Sequence, residues 1–174
     1  IVFQNCVFED DVLAYIPDED SGYTFTASFD NAAIFKNCKF TSKAMFKYST
    51  FESETDFSGS IFEDDSTFKY AKFEETISFE KTKFNESATF KYTEFNSFVS
   101  FKNALFEDTA TFKYTKFKNG VSFNNTRFEE DLSIKYTIVT GKFDITNMKV
   151  AFEIDDKYTK INGKSFSKYV LEQN

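Results

Sequence analysis

Phenylalanines at regular spacing are the feature that most limits what this chain can fold into. They form 18 consecutive positions whose steps alternate between five and six residues, and the series is Phe35, Phe40, Phe46, Phe51, Phe57, Phe62, Phe68, Phe73, Phe79, Phe84, Phe90, Phe95, Phe101, Phe106, Phe112, Phe117, Phe123 and Phe128. Four aliphatic residues continue the rhythm, Ile134, Val139, Ile145 and Val150. One side chain that returns to one structural position at a fixed interval is typical of repeat proteins.

The residues around each phenylalanine favour β-strands over helices. An 11-residue period also occurs in right-handed coiled coils, but the residue two positions before each phenylalanine is usually small, as at Ala44, Thr55, Ser66 and Ala88. Residues two apart lie on the same side of a strand, so the small residue leaves room for the ring. Each five- or six-residue step is therefore predicted to be one short strand followed by a corner.

A longer period predicts the number of sides in each coil. Lysine followed by tyrosine recurs every 22 residues, in the series Lys47, Tyr48, Lys69, Tyr70, Lys91, Tyr92, Lys113, Tyr114, Lys135 and Tyr136. Positions halfway between carry other residues, such as Gly59 and Asn103. The chain thus returns to the same face after four steps, which predicts a four-sided parallel β-helix whose coils stack about 4.8 Å apart.

The segments Ala110–Phe117 and Val121–Phe128 resemble pentapeptide-repeat proteins, which place Phe or Leu at the centre and a small residue two positions earlier. The similarity covers about residues 27–151 and fits the Phe-rich variant with alternating five- and six-residue steps. It implies an all-β, right-handed quadrilateral parallel β-helix. We expect a rigid scaffold for protein–protein interaction. The alternative, which the resemblance implies, is an acidic DNA mimic that binds DNA gyrase or another topoisomerase.

The ends of the chain depart from the rhythm. We expect the β-helix to span residues 1–151, with a loop at about 14–24 that is either a tolerated insertion or a partner-binding loop. Residues 152–174 are expected to form a C-terminal cap or extension. A short helix from Ser165 to Leu171 is expected there, and the same segment is a candidate dimer interface, which leaves monomer and dimer open.

Composition disfavours several partners. The net charge of −7 argues against direct binding of nucleic acid and of anionic membranes. No apolar run is long enough for a transmembrane helix. We therefore expect a cytoplasmic protein whose partner is another protein.

Catalytic chemistry has little support in this sequence. There is no histidine, which excludes Ser-His-Asp and Cys-His catalysis and His-based zinc sites. Cys6 and Cys38 fall in the small position two before a phenylalanine, and the spacing predicts that they lie on opposite sides of the coil. We expect no enzymatic activity, no cofactor and no metal.

Two surfaces are candidate interaction sites. The Lys-Tyr series is either simple stacking between coils or a platform for a sugar, a nucleic-acid strand or a protein. A second face is acidic and contains Glu63, Asp64, Glu86, Glu107, Asp108, Glu129 and Glu130. The acidic face supports DNA mimicry, whereas the neighbouring lysines oppose it.

Overall fold

The computed structural model describes residues 1–172 and shows the four-sided parallel β-helix that the spacing predicted. Four parallel sheets form its sides, and the chain visits them in turn. The strands of the first sheet are Val2–Gln4, Ala33–Lys36, Thr55–Asp56, Ile77–Ser78, Val99–Ser100, Val121–Ser122 and Phe143–Asp144. Those of the second are Val7–Phe8, Lys39–Phe40, Ile61–Phe62, Lys83–Phe84, Leu105–Phe106, Arg127–Phe128 and Lys149–Val150.

The remaining two sheets complete each coil. The third contains Val12–Leu13, Ala44–Met45, Ser66–Thr67, Ala88–Thr89, Ala110–Thr111, Leu132–Ser133 and Ile154–Asp155. The fourth contains Ser28–Phe29, Thr50–Phe51, Lys72–Phe73, Glu94–Phe95, Lys116–Phe117, Ile138–Val139, Lys160–Ile161 and, antiparallel to the rest, Lys164–Ser165. Residues paired between adjacent coils keep the spacing of the Lys-Tyr series, as in Phe51 and Phe73.

Phenylalanine rings fill the interior of the coil. Every phenylalanine of the predicted series is buried. Phe90 stacks on Phe112 of the next coil with ring centroids 4.8 Å apart and planes at 3°, and meets Phe79 edge-on at 5.5 Å. Both are favourable aromatic geometries, each contributing about 0.5–1.5 kcal/mol beyond the area that the rings bury.

The predicted loop at residues 14–24 is a β-hairpin. Its strands, Tyr15–Pro17 and Thr24–Thr26, pair only with each other, in antiparallel register. Because the hairpin leaves the coil, more chain separates Phe3 from its partner Phe35 than separates paired residues in the later coils.

This insertion overturns the expected placement of the two cysteines. Cys6 and Cys38 occupy the same position in adjacent coils, since Lys39 N donates to the carbonyl oxygen of Cys6. They therefore lie on the same side, and both are free thiols. Cys38 is buried, whereas Cys6 in the first coil is half-buried.

The parallel pairing continues past residue 151, where we expected the β-helix to end. Ile154–Asp155 pairs with Leu132–Ser133, and Lys160–Ile161 pairs with Ile138–Val139. The Phe rhythm gave no signal here because Asp156 stands at the central position.

The C-terminal cap contains the predicted helix, which spans Phe166–Leu171. The Ser165 hydroxyl accepts a hydrogen bond from Lys168 N and caps its first turn. Phe166 and Tyr169 contact the ring of Phe143 at centroid distances of 6.2 and 5.5 Å, which covers part of the open end of the core. The predicted extension also includes residues 173 and 174, which lie outside the described part of the chain.

Candidate functional site

The Lys-Tyr pairs occupy one corner of the helix, between the third and fourth sheets. We call this edge the Lys-Tyr corner. Each pair forms the centre of a tight turn, as where Ala71 N donates to Phe68 O at 2.9 Å. The tyrosine takes a positive φ, 60° at Tyr70, as the third residue of a type II turn requires. Only a few per cent of non-glycine residues adopt this conformation, and Asn, Asp and His are several-fold enriched among them.

The corner is longer than the sequence rhythm indicated. Tyr158 stacks on Tyr136 at 4.9 Å and has the same positive φ, and the Lys157 ammonium lies 5.2 Å from the Tyr158 ring centroid. These two residues continue the spacing of the Lys-Tyr series and belong to the corner. The spacing of the Lys-Tyr series is enough to predict both residues. They were missed because the phenylalanine series ends before this coil.

The six tyrosine rings form one continuous stack. Neighbouring centroids lie between 4.6 Å, for Tyr114 and Tyr136, and 5.1 Å, for Tyr48 and Tyr70, with planes within 20° of parallel throughout. The rings remain partly exposed to solvent, for example 40% at Tyr70, so the stack offers ring edges and hydroxyl groups along the corner.

The lysines of this corner are unpaired cations. Lys47, Lys69, Lys91, Lys135 and Lys157 each place their ammonium 4.7–5.6 Å from the centroid of the tyrosine that follows. Within the described residues, none of the six corner lysines has a carboxylate within 4.0 Å. The corner is thus a row of ammonium groups, one per coil.

The predicted acidic residues lie at another corner, between the second and third sheets, which we call the acidic corner. Three of its seven carboxylates are neutralised by cations on the second sheet: Glu63 pairs with Lys39 at 2.8 Å, Glu107 with Lys83 at 2.9 Å, and Glu129 with Arg127. These pairs are half-exposed and contribute little to stability, but they reduce the free negative charge.

The other four acidic residues divide into two kinds. Asp64 and Asp108 accept hydrogen bonds from the backbone N–H of Asp65 and Thr109, at 2.6 and 2.5 Å. Glu86 and Glu130 have no hydrogen bond or ion pair within residues 1–172. The acidic corner therefore has a turn-forming role in part, and only some of its charge is available.

A carboxylate with a lowered pKa, Glu94, lies on the fourth sheet. Hydrogen bonds from Lys116 at 2.6 Å and Lys118 at 2.9 Å lower the pKa of Glu94. The two cations belong to the following coil, so this group fastens adjacent coils. The groups that lower the pKa of Glu94 are its two ion-pair partners, which indicates a structural role for this carboxylate.

A solvent-open cleft of about 570 Å³ lies between the last strand of the first sheet and the C-terminal helix, next to Phe143, Asp144 and Tyr169. The Tyr169 hydroxyl beside this cleft donates a hydrogen bond of 2.8 Å to the carbonyl oxygen of Phe143. Residues 1–172 contain no group of three or more potential metal ligands and no helix that is long and apolar enough to cross a membrane.

Comparison with protein families matches this chain to the model described as pentapeptide repeats, in 9 copies over residues 25–72, 68–116 and 101–141. Comparisons with curated proteins and with solved structures return no match. The matched residues include the whole buried phenylalanine series and most of the Lys-Tyr corner. The chain therefore belongs to the pentapeptide-repeat family.

Proposed function

We propose that this protein is a non-enzymatic rigid scaffold that binds a partner protein through the Lys-Tyr corner. The coils repeat at a constant spacing around a core of packed rings, so the corner is a straight and stiff row. The partner is a protein with an acidic surface, since the row carries free ammonium groups and tyrosine hydroxyls.

The choice of residue at positive φ carries this proposal. The corner between the first and second sheets imposes the same backbone conformation, and it uses Asn or Gly at every coil except at Lys81: the residues are Asn5, Asn37, Gly59, Lys81, Asn103, Asn125 and Asn147. The Lys-Tyr corner uses tyrosine at all six coils, although tyrosine is unfavourable there. A side chain that adopts a costly conformation in every coil is selected for what it contacts.

Stacking between the rings explains part of the choice of tyrosine. The lysines add little stability, so their presence points to a role in binding. An exposed lysine stabilises a neighbouring ring by only about 0.5–1 kcal/mol. Elsewhere on the surface, paired lysines such as Lys39 and Lys83 occur alongside unpaired ones, whereas no lysine of the corner has a carboxylate partner within residues 1–172. A cationic row without carboxylates, on a protein of net charge −7, is an electrostatically distinct surface.

A charge-removal experiment tests this function. The protein and a Lys69→Gln/Lys91→Gln/Lys113→Gln variant are immobilised, and binding of a polyglutamate peptide and of cellular proteins is measured at several salt concentrations. We expect the peptide to bind the native protein in a salt-dependent way, and at least one protein to be retained that the variant loses.

The matched control removes the same charge elsewhere. Lys81, Lys102 and Lys149 also lack a carboxylate within 4.0 Å in the described part of the chain. Lys81→Gln/Lys102→Gln/Lys149→Gln therefore removes three unpaired cations, as the corner variant does. Binding that falls in the corner variant and persists in the control supports the proposal. Equal losses in both variants, or none in either, would remove the corner as the binding surface.

DNA mimicry and dimerisation through the C-terminal end remain weaker proposals. Free carboxylates at Glu86 and Glu130 support a mimic, but Lys39, Lys83 and Arg127 neutralise their neighbours. A DNA mimic must present a continuous negative surface to a basic groove. Among residues 1–172, no specific contact favours either idea over the Lys-Tyr corner.

A further inference from the structure

The net negative charge of this protein comes from its N-terminal end. Residues 1–35 contain seven of the 28 acidic residues and none of the 21 basic residues, the first of which is Lys36. The remaining chain is therefore balanced, with 21 residues of each sign, and the net charge of −7 belongs to the first coil and its hairpin. Three of the seven acids, Asp18, Glu19 and Asp20, lie at the hairpin tip.

The same hairpin exposes large apolar side chains. Ile16 and Phe25 are directly opposite each other on the two strands and are 59% and 64% exposed, while Tyr23 is 73% exposed. Ile16 and Phe25 point to the same side of the ribbon because directly opposite residues share a face. Tyr15, on the other face, packs edge-on against Tyr48 at 6.3 Å. One face of the hairpin is thus anchored to the β-helix, and the apolar face is open.

The hairpin also has one free hydrogen-bonding edge. Its two strands form a separate two-stranded sheet. Asp18 N donates to Tyr23 O and Ala27 N donates to Ala14 O, so by the alternation of antiparallel pairing the backbone groups of Thr24 and Thr26 point away from the partner strand. The opposite edge carries Pro17, which has no N–H and blocks strand addition there.

We propose that the hairpin binds a basic, extended segment of a partner protein by strand addition to Thr24–Thr26. The free N–H and C=O groups of this strand pair with the segment's backbone, and its apolar side chains cover Ile16 and Phe25. Lysines or arginines of the segment lie against Asp18, Glu19 and Asp20. This surface is the face of the hairpin opposite Tyr15, the residue that contacts Tyr48 and Lys47 of the Lys-Tyr corner.

Charge complementarity selects this occupant over a second copy of the chain. Two hairpins facing each other would bring three acidic residues from each copy together, and residues 1–35 offer no basic residue to compensate. Like charges in opposition disfavour an interface. A two-stranded hairpin is also marginal alone, so a third strand stabilises it.

The test uses a ten-residue peptide of alternating lysine and valine, with a fluorescent label, and the complete protein. Binding is measured by fluorescence anisotropy at low salt, and the contact is located by amide hydrogen exchange. We expect binding, with exchange slowed at Thr24 and Thr26. A peptide with glutamate in place of lysine, and one N-methylated at alternate amides, are expected not to bind.

Two variants separate the contributions of charge and apolar contact. Glu19→Gln/Asp20→Asn keeps Asp18, whose carboxylate accepts from the Ser21 hydroxyl and from Asp20 N. We expect it to weaken peptide binding about fivefold, as for two exposed ion pairs. Ile16→Thr/Phe25→Thr keeps strand-favouring residues and is expected to weaken binding more than about tenfold.

The charge control is Glu75→Gln/Glu86→Gln, which removes two acidic residues at other corners in later coils and is expected to leave the peptide affinity unchanged. Chemical shifts of Thr24–Thr26 report whether each variant keeps the hairpin. No binding by the lysine–valine peptide at millimolar concentration would overturn the proposal. Equal weakening by both charge variants, protection confined to other strands, or self-association that Phe25→Thr abolishes would overturn it as well.

Discussion

The Thr93 hydroxyl donates a hydrogen bond of 2.7 Å to the carbonyl oxygen of Phe68, 25 residues earlier. The same bond recurs from Thr115 to Phe90 at 2.6 Å and from Thr137 to Phe112 at 2.6 Å. Where the small residue before a phenylalanine is one of these threonines, it therefore joins neighbouring coils as well as leaving room for a ring.

Thr93→Val keeps the shape of this side chain and removes the hydroxyl. We expect it to lower the free energy of unfolding by about 1 kcal/mol, the usual net contribution of one buried hydrogen bond. Ser49 occupies the same position two coils earlier, and its buried hydroxyl has no hydrogen-bond partner within residues 1–172. Ser49→Ala is expected to be neutral or slightly stabilising. Chemical denaturation measures both changes, and equal destabilisation would refute the role of the threonine hydroxyl.

The left-handed backbone at Tyr92, with φ of 60°, predicts an unusual order of stabilities. Tyr92→Ala and Tyr92→Gly both lose the ring stack, but only glycine relieves the positive φ. We expect the glycine variant to be more stable than the alanine variant by about 0.5–1 kcal/mol. At Thr89, in a strand of the third sheet, the order is expected to reverse. Thermal melts of the alanine and glycine variants at positions 92 and 89 test this order of stabilities. An alanine variant as stable as the glycine variant at position 92 would contradict the positive φ in this turn.

Burial raises the pKa of the Cys38 thiol, which is 1% exposed. Alkylation requires the thiolate, so a raised pKa moves the reaction to higher pH. We expect iodoacetamide to modify Cys6 first, and Cys38 in the folded protein to react more slowly, and at higher pH, than in denaturant. Mass spectrometry of the two cysteine peptides gives the rates. Equal rates in folded and unfolded protein would show that Cys38 is not buried in this position.

DNA mimicry gives a clear prediction with purified enzyme. Because Lys39, Lys83 and Arg127 pair with Glu63, Glu107 and Glu129, we expect no inhibition of gyrase supercoiling by micromolar protein at low salt. Inhibition that disappears in a Glu63→Gln/Glu86→Gln/Glu107→Gln/Glu129→Gln variant would instead make the acidic corner the functional surface.

The fold was predictable because each structural position has one dominant residue type. The steps between phenylalanines identify the strands, and the regular spacing of Tyr48, Tyr70 and the later corner tyrosines identifies the number of sides. The spacing of the phenylalanines did not predict the last coil, because Asp156 stands at its central position. Lys157 and Tyr158 nevertheless continue the spacing of the Lys-Tyr series.

Contacts between side chains in different coils were less predictable. The acidic residues at one corner followed from the sequence, but the pairing of Glu63 with Lys39 depends on how far a lysine reaches from the neighbouring sheet. The relation of Cys6 to Cys38 depends on how many residues leave the coil in the hairpin, which the spacing of the remaining coils does not reveal. The hairpin itself has no repeat, so its exposed face and free edge became visible only in the structure.

Deletion of one complete coil tests the central claim, that the repeating unit is one four-sided coil. Removing residues 88–109 joins Ser87 to Ala110, which occupies the same position as Ala88. The account predicts a folded β-helix one coil shorter that unfolds cooperatively in denaturant. Removing residues 88–106 deletes less of the protein but breaks the phenylalanine register, and is predicted to abolish cooperative unfolding. Two deletions that are tolerated equally well, or loss of folding in the whole-coil deletion alone, would contradict the four-sided coil.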